Sequence, residues 1–311
     1  MNKTATPRFA VDLFAFWNPV AWGFDSLDEL TELGGARPRE LWERLLAMLV
    51  ESGVSEFELT FPPFDAATAI AAYGGPRELG AALEAHGLAI CGAYLPALED
   101  PVRLVAERRA DLLRETEEIA ELVAVLGGRT LVGSAPPRAT RSASPDEVVG
   151  LATAQRLTDL HHEVGIICRR SGLDFGLHVE SHSSLWLERD IDLFMLLTDP
   201  FYVGLCPDAG HIVLGGGDPV AVATRHRQRL VAAHWKDATG PISWDLPIDA
   251  SIHVAHQEHT RIPGDGVVDW AAWAAVLGPA GLTDPVLLEA DASPTPVADI
   301  RAAIEHLSPL L

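Results

Sequence analysis

Short apolar runs alternate with longer amphipathic ones along the whole chain, and nothing else in the sequence limits the possible fold so strongly. Predicted strands run from Phe9 to Phe14, Val54 to Thr60, Leu88 to Tyr94, Thr130 to Gly133, Asp174 to Glu180, Tyr202 to Cys206, Leu230 to Trp235 and Val286 to Glu289. Between them the apolar spacing predicts helices from Pro38 to Glu51, Pro76 to Ala85, Pro101 to Leu126, Pro145 to Arg170, Leu187 to Leu197, Pro219 to Arg227, Asp269 to Leu277 and Pro296 to Leu307. Most of these open on proline, which fits a first helical turn because no backbone donor is lost there. Parallel strands need helical crossovers, so eight strand-then-helix units in about 300 residues predict a single (β/α)₈ TIM barrel spanning residues 1–311. A doubly wound open sheet is the rival. It would carry a Gly-rich turn after the first strand, where this chain has Ala15-Phe16-Trp17-Asn18-Pro19. The stretch from Ala238 to Pro263 is a long insertion after strand seven, and its length predicts a lid or binding loop.

Charge narrows the range of partners. The chain has 44 acidic and 23 basic residues, a formal net charge of −21. Such a surface repels nucleic acid and anionic membranes, and no apolar run is long enough to predict a bilayer span. Cys91, Cys168 and Cys206 are odd in number and far apart, which reads as a reduced, cytoplasmic setting without a disulfide framework.

The chemistry collects at four strand ends: Leu177-His178-Val179-Glu180-Ser181-His182, Cys206-Pro207-Asp208-Ala209-Gly210-His211, His234-Trp235-Lys236-Asp237 and Leu287-Leu288-Glu289-Ala290-Asp291. Polar groups at such positions cost stability unless something pairs with them, and in a barrel the C-terminal strand ends form the active face. A salt bridge or cap explains any one of them; four in succession point to a shared divalent cation. Glu180, Asp208, His234 and Glu289 offer three carboxylates and one imidazole. That mainly oxygen set favours Mn²⁺, with Mg²⁺, Co²⁺ or Zn²⁺ also possible.

These motifs, with Arg261-Ile262-Pro263-Gly264-Asp265-Gly266-Val267-Val268-Asp269-Trp270, resemble those of the xylose-isomerase-like TIM-barrel superfamily. The likeness is to its sugar phosphate isomerase/epimerase branch, which includes ketose 3-epimerases and inosose dehydratases. The resemblance implies that Glu180, Asp208, His234 and Glu289 hold one cation and that the two glutamates exchange protons. It places His211 and Arg261 on substrate oxygens and His182 nearby as a catalytic or supporting group. His178 shares a strand face with Glu180; inosose dehydratases often carry a His-Pro-His stretch here, from which this chain departs by reading His178-Val179-Glu180. Glu58, Lys236, Trp17 and Trp244 are further candidates for substrate contact. Trp22, Trp186 and Trp235 also fall near the predicted active face, where aromatic rings suit a sugar C–H face. His253, His256 and His259 could form a second metal site.

The expected activity is thus a metal-dependent isomerase or epimerase that abstracts a proton beside the cation-held carbonyl of a ketose or keto-sugar. The alternatives are a lyase of the same fold, dehydrating an inosose or cleaving a 3-keto-glycoside, and an inactive sugar-binding barrel. Partners implied are a small sugar substrate and further copies of the chain as a dimer or tetramer, or a hetero-oligomer if the protein is a deglycosidase.

Overall fold

In a computed structural model, describing residues 7–100, 106–138, 149–243, 246–247 and 252–311, the predicted alternation closes into a barrel. Its strands are β1 (Phe9–Asp12), β2 (Glu56–Leu59), β3 (Ala89–Tyr94), β4 (Thr130–Gly133), β5 (Asp174–His178), β6 (Gly204–Cys206) and β7 (His234–Trp235). A short hairpin, β8 (Asp237–Ala238) and β9 (Thr260–Arg261), precedes the last barrel strand, β10 (Val286–Leu288). Hydrogen bonding runs β6-β5-β4-β3-β2-β1-β10-β7, and the parallel bridges Leu205–Leu230 and Asp208–His234 join the two ends. Eight parallel strands therefore make the (β/α)₈ barrel that the sequence predicts.

Period-two alternation sorts the side chains. Phe9 and Val11, Phe57 and Leu59, Phe175 and Leu177, and Val286 and Leu288 enter the main core between the strands and the helical ring. The opposite faces carry small or polar residues: Ala10, Cys91 and Leu287 pack together inside the barrel, and Asp12, Glu58, His178, His234 and Glu289 follow at the same parity. Small residues fill the narrow interior and polar ones collect at its mouth. Trp235 lies between His234 and Lys236, so alternation sends it outward, where it stacks on Trp270 with ring centroids 5.4 Å apart. Trp22 and Trp186 are buried as well. These three tryptophans are core residues, a correction to the aromatic rim expected from sequence.

The helices Pro38–Ser52, Pro76–His86, Pro219–Arg225 and Pro296–Leu307 open on proline as predicted. Four helices were not predicted: Leu27–Ala36, Ala66–Tyr73, Ala209–Leu214 and Ile252–Gln257. The first is capped by Ser26, the second by Asp65 and the third by Asp208, whose oxygens accept from backbone N–H groups. Short polar caps of this kind start helices too brief to show an apolar period. No helix among the described residues is long and apolar enough to cross a membrane.

Candidate active site

The barrel mouth is built by two local devices. In Asp208-Ala209-Gly210-His211, Asp208 caps its helix by accepting from the His211 N–H at 2.7 Å through Oδ1. This turns Oδ2 into the barrel, where it has no hydrogen-bond partner. Gly210 matters because a Cβ there would lie 2.7 Å from Lys236 Cγ, so only glycine lets the lysine stem pass. The second device is Asp237, fully buried, which accepts from the backbone N–H of Ala238, Gly264, Gly266 and Val268 and from Trp270 Nε1, all between 2.9 and 3.1 Å. That one carboxylate folds the Pro263-to-Trp270 turn against the end of β7. A Cβ on Gly266 would overlap its oxygen.

His178 is the hub of the polar cluster. Its Nδ1 lies 3.6 Å from Glu180 Oε2, and its Nε2 lies 3.9 Å from Asp208 Oδ2 and 3.7 Å from Glu289 Oε2. Neither ring nitrogen is hydrogen-bonded. Burial pushes the His178 imidazole below its ordinary pKa, leaving it neutral with a lone pair to offer on one nitrogen. Lys236 is 1% exposed and inserts its ammonium 2.6 Å from Glu289 Oε1, 2.7 Å from Asp291 Oδ1 and 2.7 Å from His211 Nε2. His211 also meets Ser181 Oγ at 2.6 Å and Glu180 Oε2 at 3.2 Å. His234 is held between Glu58, 3.0 Å from its Nε2, and Glu289 at its Nδ1.

Donor atoms of His178, Asp208, His211 and Glu289 all lie within 4.8 Å of one another. Asp208 and Glu289 belong to the expected ligand set. The other two members differ: His178 and His211 stand in the tight group, while Glu180 and His234 border it. The reason is geometric. Glu289 meets His234 Nδ1 and Glu58 Oε2 lies 3.0 Å from its Nε2, whereas both His178 nitrogens stand 3.6–3.9 Å from the carboxylates around them. Among the described residues, the carboxyl groups of Asp12, Glu99, Glu180, Glu289 and Asp291 line the cavity, with Lys236 as the one lysine. An excess of buried carboxyl groups around unpartnered donors fits a divalent cation, since each orphaned group otherwise costs about 1–3 kcal/mol. His178→Ala should therefore weaken Mn²⁺ binding, measured by calorimetry, beyond the roughly 10–100-fold typical of groups that only orient ligands. Unchanged affinity would remove His178 from the ligand set.

Burial raises the Asp208 carboxyl to about 7, against the opposing pull of Lys236 and His211. A cation must displace that proton, so affinity should fall by about tenfold per pH unit below pH ~7 and level off above it. Mn²⁺ titrations at acidic and alkaline pH check this, and a flat profile would contradict it. Burial would also raise Glu180, but facing His211, with Lys236 and His178, outweighs it and holds this carboxylate ionised. Glu99 goes the other way: burial and the charge of Glu180 push it up to about 8, although the Tyr94 hydroxyl donates to it.

Other expected residues lie further out. His182 turns away from the cavity, stacks on Trp186 and His256, and bonds His256 Nε2 at 2.8 Å through Nδ1. Arg261 donates to the carbonyls of Glu258 and Thr260 in its own loop and does not line the cavity. Trp17 donates to the Pro62 carbonyl and stacks behind Phe14, which does line the cavity. Trp244 lies outside the described residues. His256 reaches the cavity from the insertion helix, while His259 meets Thr239 at 3.2 Å; the His253 side chain lies outside those described. Sequence reasoning missed Asp12, Tyr94, Glu99 and Asp291. Strand parity could have found two of them, since Asp12 follows Ala10 and Asp291 follows Glu289 at the same-face spacing.

The xylose isomerase-like TIM barrel model matches residues 46–310. The chain belongs to this family. Within the family it is similar to an inosose dehydratase of Geobacillus kaustophilus, with 27% identity over 256 residues, 76% of this chain and 79% of the relative. Its fold is also that of an L-ribulose 3-epimerase, with a TM-score of 0.64, 18% identity and coverage of 97% of this chain and 92% of the other. The same fold occurs in an IolI protein with a bound zinc atom, with a TM-score of 0.64, 12% identity and coverage of 97% and 96%. The sequence relative is thus an enzyme, a dehydratase.

Proposed function

We propose that the protein is a divalent-metal-dependent enzyme that removes the proton beside the carbonyl of a keto-sugar or keto-polyol and then expels water. The observation that carries this reading is the His178 hub, with unpartnered nitrogens facing Asp208 and Glu289 at the mouth of a family barrel. His178, Asp208 and Glu289, joined by His211, would hold the cation. When bound, the cation would polarise the carbonyl and acidify the adjacent C–H.

The remaining chemistry falls to this chain's own groups. Glu180 is kept ionised and is 22% exposed towards the cavity, so it is the side chain placed to take the proton. Glu99 lines the same cavity and, with its raised pKa of about 8, carries a proton at neutral pH. That proton can go to the departing hydroxyl. Lys236 holds Glu289 in place and keeps its charge near the substrate oxygens. The similarity to inosose dehydratase favours elimination.

The runner-up is epimerisation, in which the proton returns to the same carbon from the opposite face. Glu180 and Glu289, both lining the cavity, favour it. Incubation with an inosose, followed by mass spectrometry, separates the two. Loss of one water supports the dehydratase reading, and an isobaric product supports the epimerase. Return of unchanged substrate from an inosose and a panel of ketoses would overturn both.

A further inference from the structure

Among the described residues of the insertion, only His256 lines the metal-side cavity. It is buried, and its ring centroid lies 6.3 Å from that of His211, a member of the tight donor group. It also borders a second space of about 60 Å³, and the half-buried Glu99 and Glu180 line both spaces with it. Ser181 and Ser183 add hydroxyls to the wall of that second space. It has room for about two waters at roughly 30 Å³ each, or for one hydroxyl-bearing carbon.

His182 holds His256 where it is. The two rings lie with centroids 4.9 Å apart, and His182 Nδ1 meets His256 Nε2 at 2.8 Å. The other nitrogen of His182, Nε2, faces the Ser243 carbonyl at 3.3 Å; a carbonyl only accepts, so this nitrogen carries a proton and donates it. One ring thus fastens both the start of the insertion and its helix. It also packs on Trp186 at 4.3 Å, and the Trp186 indole donates to the His211 carbonyl at 2.8 Å. His182 sits at φ 60°, a backbone conformation that costs a non-glycine residue energy and persists only where its surroundings hold it. The Glu180-Ser181-His182 motif therefore divides its work: Glu180 faces the cavity, and His182 faces the insertion.

We propose that His256 is a specificity-determining residue of the active centre, contacting a substrate hydroxyl on the side of the cavity closed by the insertion, with His182 as its positioning residue. A hydroxyl both donates and accepts, so it suits an imidazole in either tautomer. A phosphate or carboxylate does not suit this place, because Glu99 and Glu180 line both spaces and Lys236 is already shared by Glu289 and Asp291. The substrate class narrows to an uncharged polyol bearing a hydroxyl beyond the reacting pair of carbons. Its being a keto compound rests on the proposed function above; the place of His256 in the cavity wall does not.

The test measures binding in the full chain, with myo-inositol and D-fructose as neutral polyhydroxyl probes and Mn²⁺ present, by saturation-transfer NMR. Whichever probe binds the wild type more tightly should bind His256→Leu, which keeps the bulk of the side chain, at least about tenfold more weakly. His256→Gln, which keeps a donor and an acceptor, should recover part of that loss. Mn²⁺ affinity should be the same in all of them, because His256 stands outside the tight donor group. His182→Phe keeps a ring on Trp186 but not the bond to His256. It should weaken the probe as His256→Leu does, and the double variant should be no weaker than either single one. No binding of either probe to the wild type, with or without Mn²⁺, would overturn the proposal. So would unchanged affinity in His256→Leu, Gln as poor as Leu, or a loss of Mn²⁺ binding in step with the probe. Additive losses in the double variant would overturn the positioning role of His182. Probe binding that follows these variants, without turnover of an inosose or any ketose, would uphold the contact and sink the proposed reaction.

Discussion

Glu180→Gln should retain most cation affinity and lose nearly all proton exchange at substrate carbon, a fall on the order of 10²–10⁴ in rate. The amide preserves the shape of the side chain but cannot accept a proton. Glu180 borders the tight donor group without belonging to it, so its loss leaves His178, Asp208, His211 and Glu289 in place. Glu289 is the weaker choice for the base, because Oε1 is engaged by Lys236 and Oε2 by His234. The check is a paired measurement: calorimetric Mn²⁺ titration and deuterium uptake by substrate in the variant and wild type. Wild-type exchange in Glu180→Gln would remove this residue from proton transfer. Loss of cation binding would move it into the ligand set instead.

The largest stability effect is expected far less visibly, at Asp237. Asp237→Ala should destabilise the fold by about 4 kcal/mol or more, because each buried donor left without an acceptor costs about 1–3 kcal/mol. Gly264, Gly266, Val268 and Trp270 would lose their shared partner at once. For a chain of this length that corresponds to a drop of roughly 6 °C in melting temperature. Thermal unfolding followed by circular dichroism reads it directly. A melting temperature unchanged within error would show that the Pro263-to-Trp270 turn holds without this carboxylate.

Much of the fold is legible in the sequence because it depends on period and punctuation. The strand Thr130–Gly133 and the helix Pro296–Leu307 have the bounds that apolar runs and an opening proline predict. Strands β6 and β7 are shorter than their apolar runs, since Tyr202 and Val203 precede β6 and Ala232 and Ala233 precede β7. Hydrophobicity marks burial there, while hydrogen bonding decides where a strand begins. The helices Leu27–Ala36 and Ala66–Tyr73 escaped because their starts are announced by a single cap, Ser26 and Asp65.

The candidate site follows the same division. The positions of Asp208, His211, Lys236 and Glu289 at the barrel mouth come from strand ends and are readable in one dimension. The exchange of His178 for His234 in the tight donor group is not. It depends on Glu58, which comes from β2, far away in sequence, and whose Oε2 lies 3.0 Å from His234 Nε2. Arg261, expected on substrate oxygens, is a related case. Its motif is real, but Asp237 gathers the motif's backbone, and the guanidinium folds onto its own loop. Tyr94 and Glu99 leave no local signal, because their importance lies in facing Glu180 across the mouth.

Deuterium incorporation tests the central claim most directly. The cation-loaded protein is incubated in D₂O with an inosose and with a panel of ketoses, and substrate and product are read by mass spectrometry. Deuterium should appear at the carbon beside the carbonyl, or that carbon should lose its proton with release of water. Either outcome should vanish after chelation of the cation and in Glu180→Gln. No exchange and no water loss with any of these compounds in the cation-loaded protein, or equal exchange after chelation, would contradict metal-dependent proton abstraction at this barrel mouth.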